Sequence, residues 1–249
     1  MKHPREDASR TRKSLLESAG AIFAEKGFRE ATIAEICRRA GVNIAAVNYH
    51  FGDKNTLYIE AWRSSFFRSI TAHPPDGGVG EDAPPEERLR GRVKALLRRV
   101  AGEDNREFLF VQKELARPTG LLDEVIREEI RPLRERMEAL ARELLGPHVS
   151  DREVRFCEIS IISQCINPTI IRRRQGEPQG GDGPPVIDDI EAYADHVVHL
   201  SLAGIRAIRE AAETLAAPAP FPFRDGRTPV GHRRNGKKGA MRSQEGGKR

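Results

Sequence analysis

The chain has 249 residues, 38% of them hydrophobic and 32% charged, enough for one large domain or two smaller ones around a real core. Its net charge of +5 is unevenly placed, because residues 224–249 hold nine Lys/Arg against two Asp/Glu, a local net of +7 that leaves −2 for everything before them. The basic character belongs to a tail, which excludes a uniformly polycationic body. The opening MKHPREDASRTRKSL lacks the apolar stretch of a signal peptide. Apolar residues then recur with helical spacing, and runs of alternating β-branched residues with hairpin turns are missing, so the expected class is all-α.

A first helix is predicted from about Ser9 to Lys26, with Leu15, Ala19, Ile22 and Phe23 on one stripe and Gly27 as a left-handed stop. Thr32 caps a second, short helix in which Ile33, Ile36, Cys37 and Ala40 repeat at helical spacing, and Gly41 ends it. Asn43 caps a third through Tyr49, and after Phe51-Gly52 the carboxylate of Asp53 caps a fourth from Lys54 to about Thr71. The Pro- and Gly-rich segment HPPDGGVGEDAPP, residues 73–85, forms a boundary loop. Further helices are predicted at Glu86–Ala101, Asn105–Arg117, Gly120–Leu145, Asp151–Arg174 and Asp188–Leu215, with Pro132 and Pro168 kinking or breaking two of them. A loop fills Gln175–Pro185, and from Ala217 the composition turns to a basic tail expected to be disordered. Nowhere do about 20 consecutive apolar residues, the length of a bilayer span, occur. The cysteines Cys37, Cys157 and Cys165 form no CxxC pair, which excludes a disulfide framework and fits a reducing, cytoplasmic compartment.

The densest constellation is TIAEICRRAGVNIAAVNYHFGDK, residues 32–54. Two short helices either side of Gly41 form a helix-turn-helix, the arrangement that lays its second helix in a DNA major groove. Ile36, Ala40, Val42, Val47 and Phe51 are the apolar or small residues that hold the pair together. Thr32 and Asn43 lie at helix N-termini, where backbone N–H groups favour a phosphate, and Tyr49, His50 and Lys54 add donors just beyond. The same spacing also suits two packed helices with a solvated turn. Residues 1–60 carry ten Lys/Arg and eight Asp/Glu, a modest electrostatic footprint.

FAEKGF, then TIAEICRRAGV, then VNYHFGDKNTLY are together similar to the amino-terminal domain of TetR/AcrR transcriptional regulators over roughly Ser9 to Trp62. Gln112–Gly146 and the later ISIISQCINP resemble the carboxy-terminal domain of a CerR-like branch of that family. The resemblance implies a homodimer that sets each third helix in one major groove of a palindromic operator, most often as a repressor released by a small-molecule effector. It places Ile44, Ala45, Ala46 and Asn48 against bases and Thr32, Asn43, Tyr49, His50 and Lys54 against phosphates. Only Asn48 of the four base-facing residues can make the bidentate amide contact that recognises adenine. Ile44 alternatively packs on the face of Val47 and Phe51, and Arg10 and Arg12 are further sources of specificity. The tail's Arg233-Arg234, Lys237-Lys238 and Lys248-Arg249 would either add phosphate contacts or merely solubilise.

These readings divide the chain into a DNA-binding domain at 9–57, a helical effector-binding and dimerisation domain at 58–216 and the tail at 217–249. For the all-round apolar helix from Asp151 and the last helix, with Gly204 among its small residues, the resemblance implies pairing with their symmetry mates in a four-helix dimer interface. Effector-pocket candidates are Trp62, Phe66, Phe108, Gln112, Gln164 and Asn167, the last two as amides near Pro168. No metal or cofactor is expected and no membrane partner, Phe221 and Phe223 being the tail's only apolar anchors. The rival readings are an effector-independent DNA-binding protein and a helical metal-dependent enzyme, the latter resting on Asp195, His196 and His199 alone.

Overall fold

The computed structural model describes residues 4–102, 105–175, 187 and 189–216, with residues 4–5 and 168–175 described in backbone only. Among them the chain is helical throughout: α1 (Pro4–Glu30), α2 (Ile33–Ala40), α3 (Ile44–Phe51), α4 (Lys54–Ala72), α5 (Pro85–Ala101), α6 (Arg106–Ala116), α7 (Asp123–Leu145), α8 (Asp151–Gln175) and α9 (Ile190–Ala216). No strand occurs among the described residues. The expected tail, and the expected loop after Gln175 up to Pro185, lie outside them.

Two expectations about helix ends need correction. α1 begins at Pro4, where Glu6 and Asp7 in the first turn suit the positive end of the helix dipole. It also resumes after Gly27, which has φ 77° and ψ 176° and is therefore an internal break, not a terminus. That region of backbone space is essentially restricted to glycine. Gly27→Ala is expected to cost about 1–3 kcal/mol in chemical denaturation, even though a Cβ there would only touch the Lys113 side chain at 3.6 Å. The prolines, secondly, do not divide their helices. α7 runs through Pro132 and α8 through residue 168. A proline removes one backbone donor, and buried side chains hold the neighbouring turns, Val125 and Met137 on either side of Pro132 in α7 and Val154 to Cys165 ahead of residue 168 in α8.

Two hydrophobic cores organise the bundle. The first joins α1 to α4 with α6 and the start of α7: Phe23, Tyr58 and Phe110 meet ring to ring, with centroids 4.8 Å (Phe23–Tyr58) and 5.1 Å (Tyr58–Phe110) apart. The second joins α5, the rest of α7, α8 and α9 around Leu89, Leu97, Leu140, Ile161 and Val197. Between them lies the pair Arg99–Glu107, N to O 2.9 Å, with both side chains buried.

Candidate nucleic-acid interface and effector cavity

Three successive helices start with the same device. The Thr32 hydroxyl accepts from the Glu35 N–H at 3.2 Å, the Asn43 Oδ1 from Ala46 N–H at 3.1 Å, and the Asp53 carboxylate from Thr56 N–H at 2.7 Å. These caps fix where α2, α3 and α4 begin. Ile36, Val47 and Phe51 face inward and lock α3 into the first core, Val47 being only 1% exposed.

What remains outside on α3 is Asn43, Ile44, Ala45, Asn48 and Tyr49, all exposed, with Ile44 at 53% and Tyr49 at 79%. Ile44 therefore stands off the face on which Val47 and Phe51 pack. Ala46 is half-buried against the core, with its N–H used by the Asn43 cap. His50 is half-buried, its ring 4.8 Å from that of Tyr49 and 6.1 Å from that of Phe51. The Lys54 ammonium rests over the Phe28 ring at 4.5 Å, and partial burial lowers its pKa from the ordinary lysine value. Arg10 pairs with Asp7 at 2.7 Å, and Arg12 pairs with Glu60 at 2.8 Å while lying over Phe51. Arg38 and Arg39, exposed at the end of α2, have no ion-pair partner among the described residues. A sequence reading that counts only net charge passes over them, although an Arg-Arg pair directly before the turn was visible.

A cavity of about 170 Å³ opens between α5, α6, α7 and α8, walled by Leu96, Phe108, Ile130, Leu133, Ile162 and Ile166. Its rim at one end comes from Pro75, Asp76 and Glu81 in the loop before α5. That loop can lie so close because Gly91 has no side chain: a Cβ there would come within 2.5 Å of the Asp76 carbonyl oxygen. Of the six residues expected in a pocket, Phe108 lines this cavity. Trp62 and Phe66 are fully buried in the first core, stacked at 5.3 Å, with the Trp62 indole N–H donating to the Glu107 carbonyl. Gln112 is half-buried elsewhere on α6. Gln164 is likewise half-buried and donates to the Ser160 carbonyl of its own helix, and Asn167 is exposed. The amides need no pocket to be satisfied.

The charged groups of the cavity went unrecognised in sequence. Arg92, Arg99, Arg134, Arg136 and Glu158 all border it. Both oxygens of the buried Glu158 receive the Arg134 fork, at 2.8 and 3.0 Å. Arg99 donates through Nε to Ser69 at 3.2 Å and through Nη2 to Glu107 at 2.9 Å, with its guanidinium over the rings of Phe66 and Phe108. Burial pushes the Glu107 carboxyl above the usual carboxylate range, with Ser69 and Arg99 pulling the other way. Away from the cavity, on α9, Asp195 is taken up by Arg90 and lies 3.8 Å from Lys94, while His196 and His199 are exposed.

Two family models match the chain. That of the bacterial regulatory proteins of the tetR family covers residues 15–61, and that of the C-terminal domain of the HTH-type transcriptional dual regulator CecR covers residues 85–205. The branch given above as CerR-like is thereby specified as that of CecR. The chain is 34% identical over 61 residues to the HTH-type transcriptional regulator AcrR of Shigella flexneri, covering 24% of this chain and 28% of that protein. It is 28% identical over 150 residues to the dual regulator CecR of the same organism, covering 56% and 67%. The chain thus spans between about a quarter and two thirds of the length of these curated relatives. In fold it is similar to the fatty acid degradation regulator FadR of Bacillus halodurans, at 19% identity and a TM-score of 0.59 over 83% of this chain and 98% of that one. A similar likeness, 18% identity and a TM-score of 0.59 over 77% and 98%, holds for FadR of Bacillus subtilis, solved in complex with stearoyl-CoA. With a helix-turn-helix match at its amino end and a CecR-type match over the helices that build the cavity, the chain belongs to the TetR family of bacterial regulatory proteins.

Proposed function

We propose that this protein is a sequence-specific transcriptional regulator of the cytoplasm, a homodimeric repressor that leaves a palindromic operator when a small molecule enters the body. The observation that carries this reading is the outward face of α3, where Ile44, Ala45, Asn48 and Tyr49 stand free while Val47 anchors the helix from behind. Asn48 reads adenine, Ile44 and Ala45 meet thymine methyl groups, and Ala46, half-buried, contributes at the edge. Thr32, Asn43, Tyr49, His50 and Lys54 hold the phosphates. Residues 9–57 do the reading, residues 58–216 sense and dimerise, and Phe108 belongs to the effector site.

Dimerisation is supported by a continuous exposed stripe along α9, Ala192, His196, Leu200, Ala203, Gly204, Ala207 and Ala211, beside the exposed Phe156 and Ile159 of α8. Small residues at helical spacing let two helix backbones approach, and an apolar stripe left to water calls for a partner. In a symmetric dimer this face meets its own copy.

Selection of bound fragments from genomic DNA tests the proposal: an inverted repeat with half-sites ~34–36 Å apart is expected. On that site Asn48→Ala should relax the preference at one base pair by about 1–3 kcal/mol. Lys54→Met, which keeps the stem over Phe28, should weaken all sequences alike and lower the salt slope by about one. Equal losses for both variants on every sequence would remove Asn48 as a base reader.

A further inference from the structure

We infer that the cavity between α5, α6, α7 and α8 takes a small apolar carboxylic acid, its single carboxylate held by the Arg99 guanidinium. The inference rests on the effector reading above and names the chemistry of the effector. Arg99 is 5% exposed yet borders the cavity. A guanidinium has five N–H donors. Nε is spent on Ser69 and Nη2 on Glu107, and Nη1 meets no acceptor among the described residues. Nη1 is also absent from the side-chain atoms that are enclosed by protein and unpartnered. Nη1 therefore keeps accessible surface on a residue that lines the cavity.

Most of the other charged groups are already occupied, and Arg136, exposed, adds one more positive charge to the lining. Arg134 saturates Glu158, Arg92 donates to the Arg136 carbonyl and to Glu81, and Asp76 accepts from the Gly78 N–H at 2.8 Å. Neither Glu158 nor Asp76 offers a free oxygen pair to an amine, so the interior favours an acceptor over a cation. A carboxylate is the acceptor that a buried guanidinium holds most strongly. Glu107, behind Arg99, takes one Nη2 bond and leaves the Nη1 group of the guanidinium to a second acceptor.

The walls set the rest of the molecule. Leu96, Ile130, Leu133, Met137, Ile162 and Ile166 offer apolar surface and no hydrogen-bonding side chain. A volume of about 170 Å³ compares with the ~150 Å³ cavities that hold one benzene ring. Arg92 and Arg99, seven residues apart on one face of α5, mark a span of about 10 Å. One ring or a medium-length chain fits between them.

The test titrates the full chain with octanoate and phenylacetate, with the neutral octanamide and phenylacetamide, and with octylamine. Calorimetry gives affinity, and the emission of Trp62, the one tryptophan of the sequence, stacked on Phe66 beneath Arg99, reports occupancy. The acids should bind at least about tenfold more tightly than their amides, as a charge-assisted hydrogen bond does over a neutral one. Arg99→Lys keeps a cation for Glu107 but loses the fork, and should erase most of that preference. Ile162→Phe should fill the cavity and abolish acid binding while the melting temperature holds. Acids binding no better than amides, or acid binding undiminished in Ile162→Phe, would overturn the inference. Operator affinity is read separately: acids that bind without loosening DNA would overturn the effector reading alone, and release by the amides but not the acids would overturn the ligand class alone.

Discussion

Gly204→Arg is expected to convert the proposed dimer into monomers and to lower affinity for the proposed full inverted repeat by about 10²–10⁴-fold, the gain that linking two binding modules normally confers. Gly204 is exposed on α9 and a Cβ built on it meets nothing within 4 Å in its own chain. The folded subunit therefore tolerates the arginine. A second copy seated on the stripe of Ala203, Gly204 and Ala207 would not, because two helix axes that approach over small residues leave no room for two guanidinium groups of like charge. Sedimentation velocity reads the oligomeric state, and titration of a full site against a half-site reads the affinity. Half-site binding should stay at the parent level. A variant that remains dimeric would place the interface elsewhere.

The second large effect concerns the buried pair. Arg99→Met should destabilise the fold by about 3–5 kcal/mol, because it strands the Glu107 carboxylate, 3% exposed, without its counter-charge. Adding Glu107→Gln should recover a large part of the loss, as an uncharged amide costs less to bury than a lone carboxylate. The pH dependence has a definite sign. Glu107 in the folded chain has its pKa raised above the ordinary 4.5, chiefly by burial, so the folded state holds that proton more tightly than the unfolded one. The stabilisation this gives is complete below pH 4.5 and is lost as pH rises through the folded value. Arg99→Met removes an interaction that favours the charged form, so its deficit should nearly vanish in acid and widen toward neutrality. Urea denaturation across that range measures it, and a deficit independent of pH would mean the loss lies in packing.

Much of the reading head was legible because its determinants are local. Thr32, Asn43 and Asp53 each cap through a bond to a residue three positions on, and Gly41 follows the last turn of α2, so order in sequence translates directly into helix boundaries. Exposure of Asn48 and Tyr49 follows from the period of α3 once Val47 is taken as the inward residue. The cavity was not legible. Arg92 and Arg99 belong to RLRGRVKALLRRV, which reads as a solvated basic helix, and what buries them, Glu81, Ser69 and Glu107, lies on other elements. Trp62 and Phe66 drew notice as aromatics, and only the tertiary fold shows that α6 covers them. The half-buried Gln164 and the exposed Asn167 show the same dependence, since the pattern of an apolar helix does not say which part of its surface its neighbours cover.

The aromatic cluster of Phe23, Tyr58 and Phe110 spans α1, α4 and α6, and the Tyr58 hydroxyl donates to Glu114, whose carboxylate also receives the Thr119 N–H. The head accordingly has no floor of its own. A fragment that stops after α4 would leave those rings facing water and should behave as a loosely collapsed peptide. Conversely, whatever tilts α6 pulls on Tyr58 through Glu114, a mechanical tie between α6 and α4.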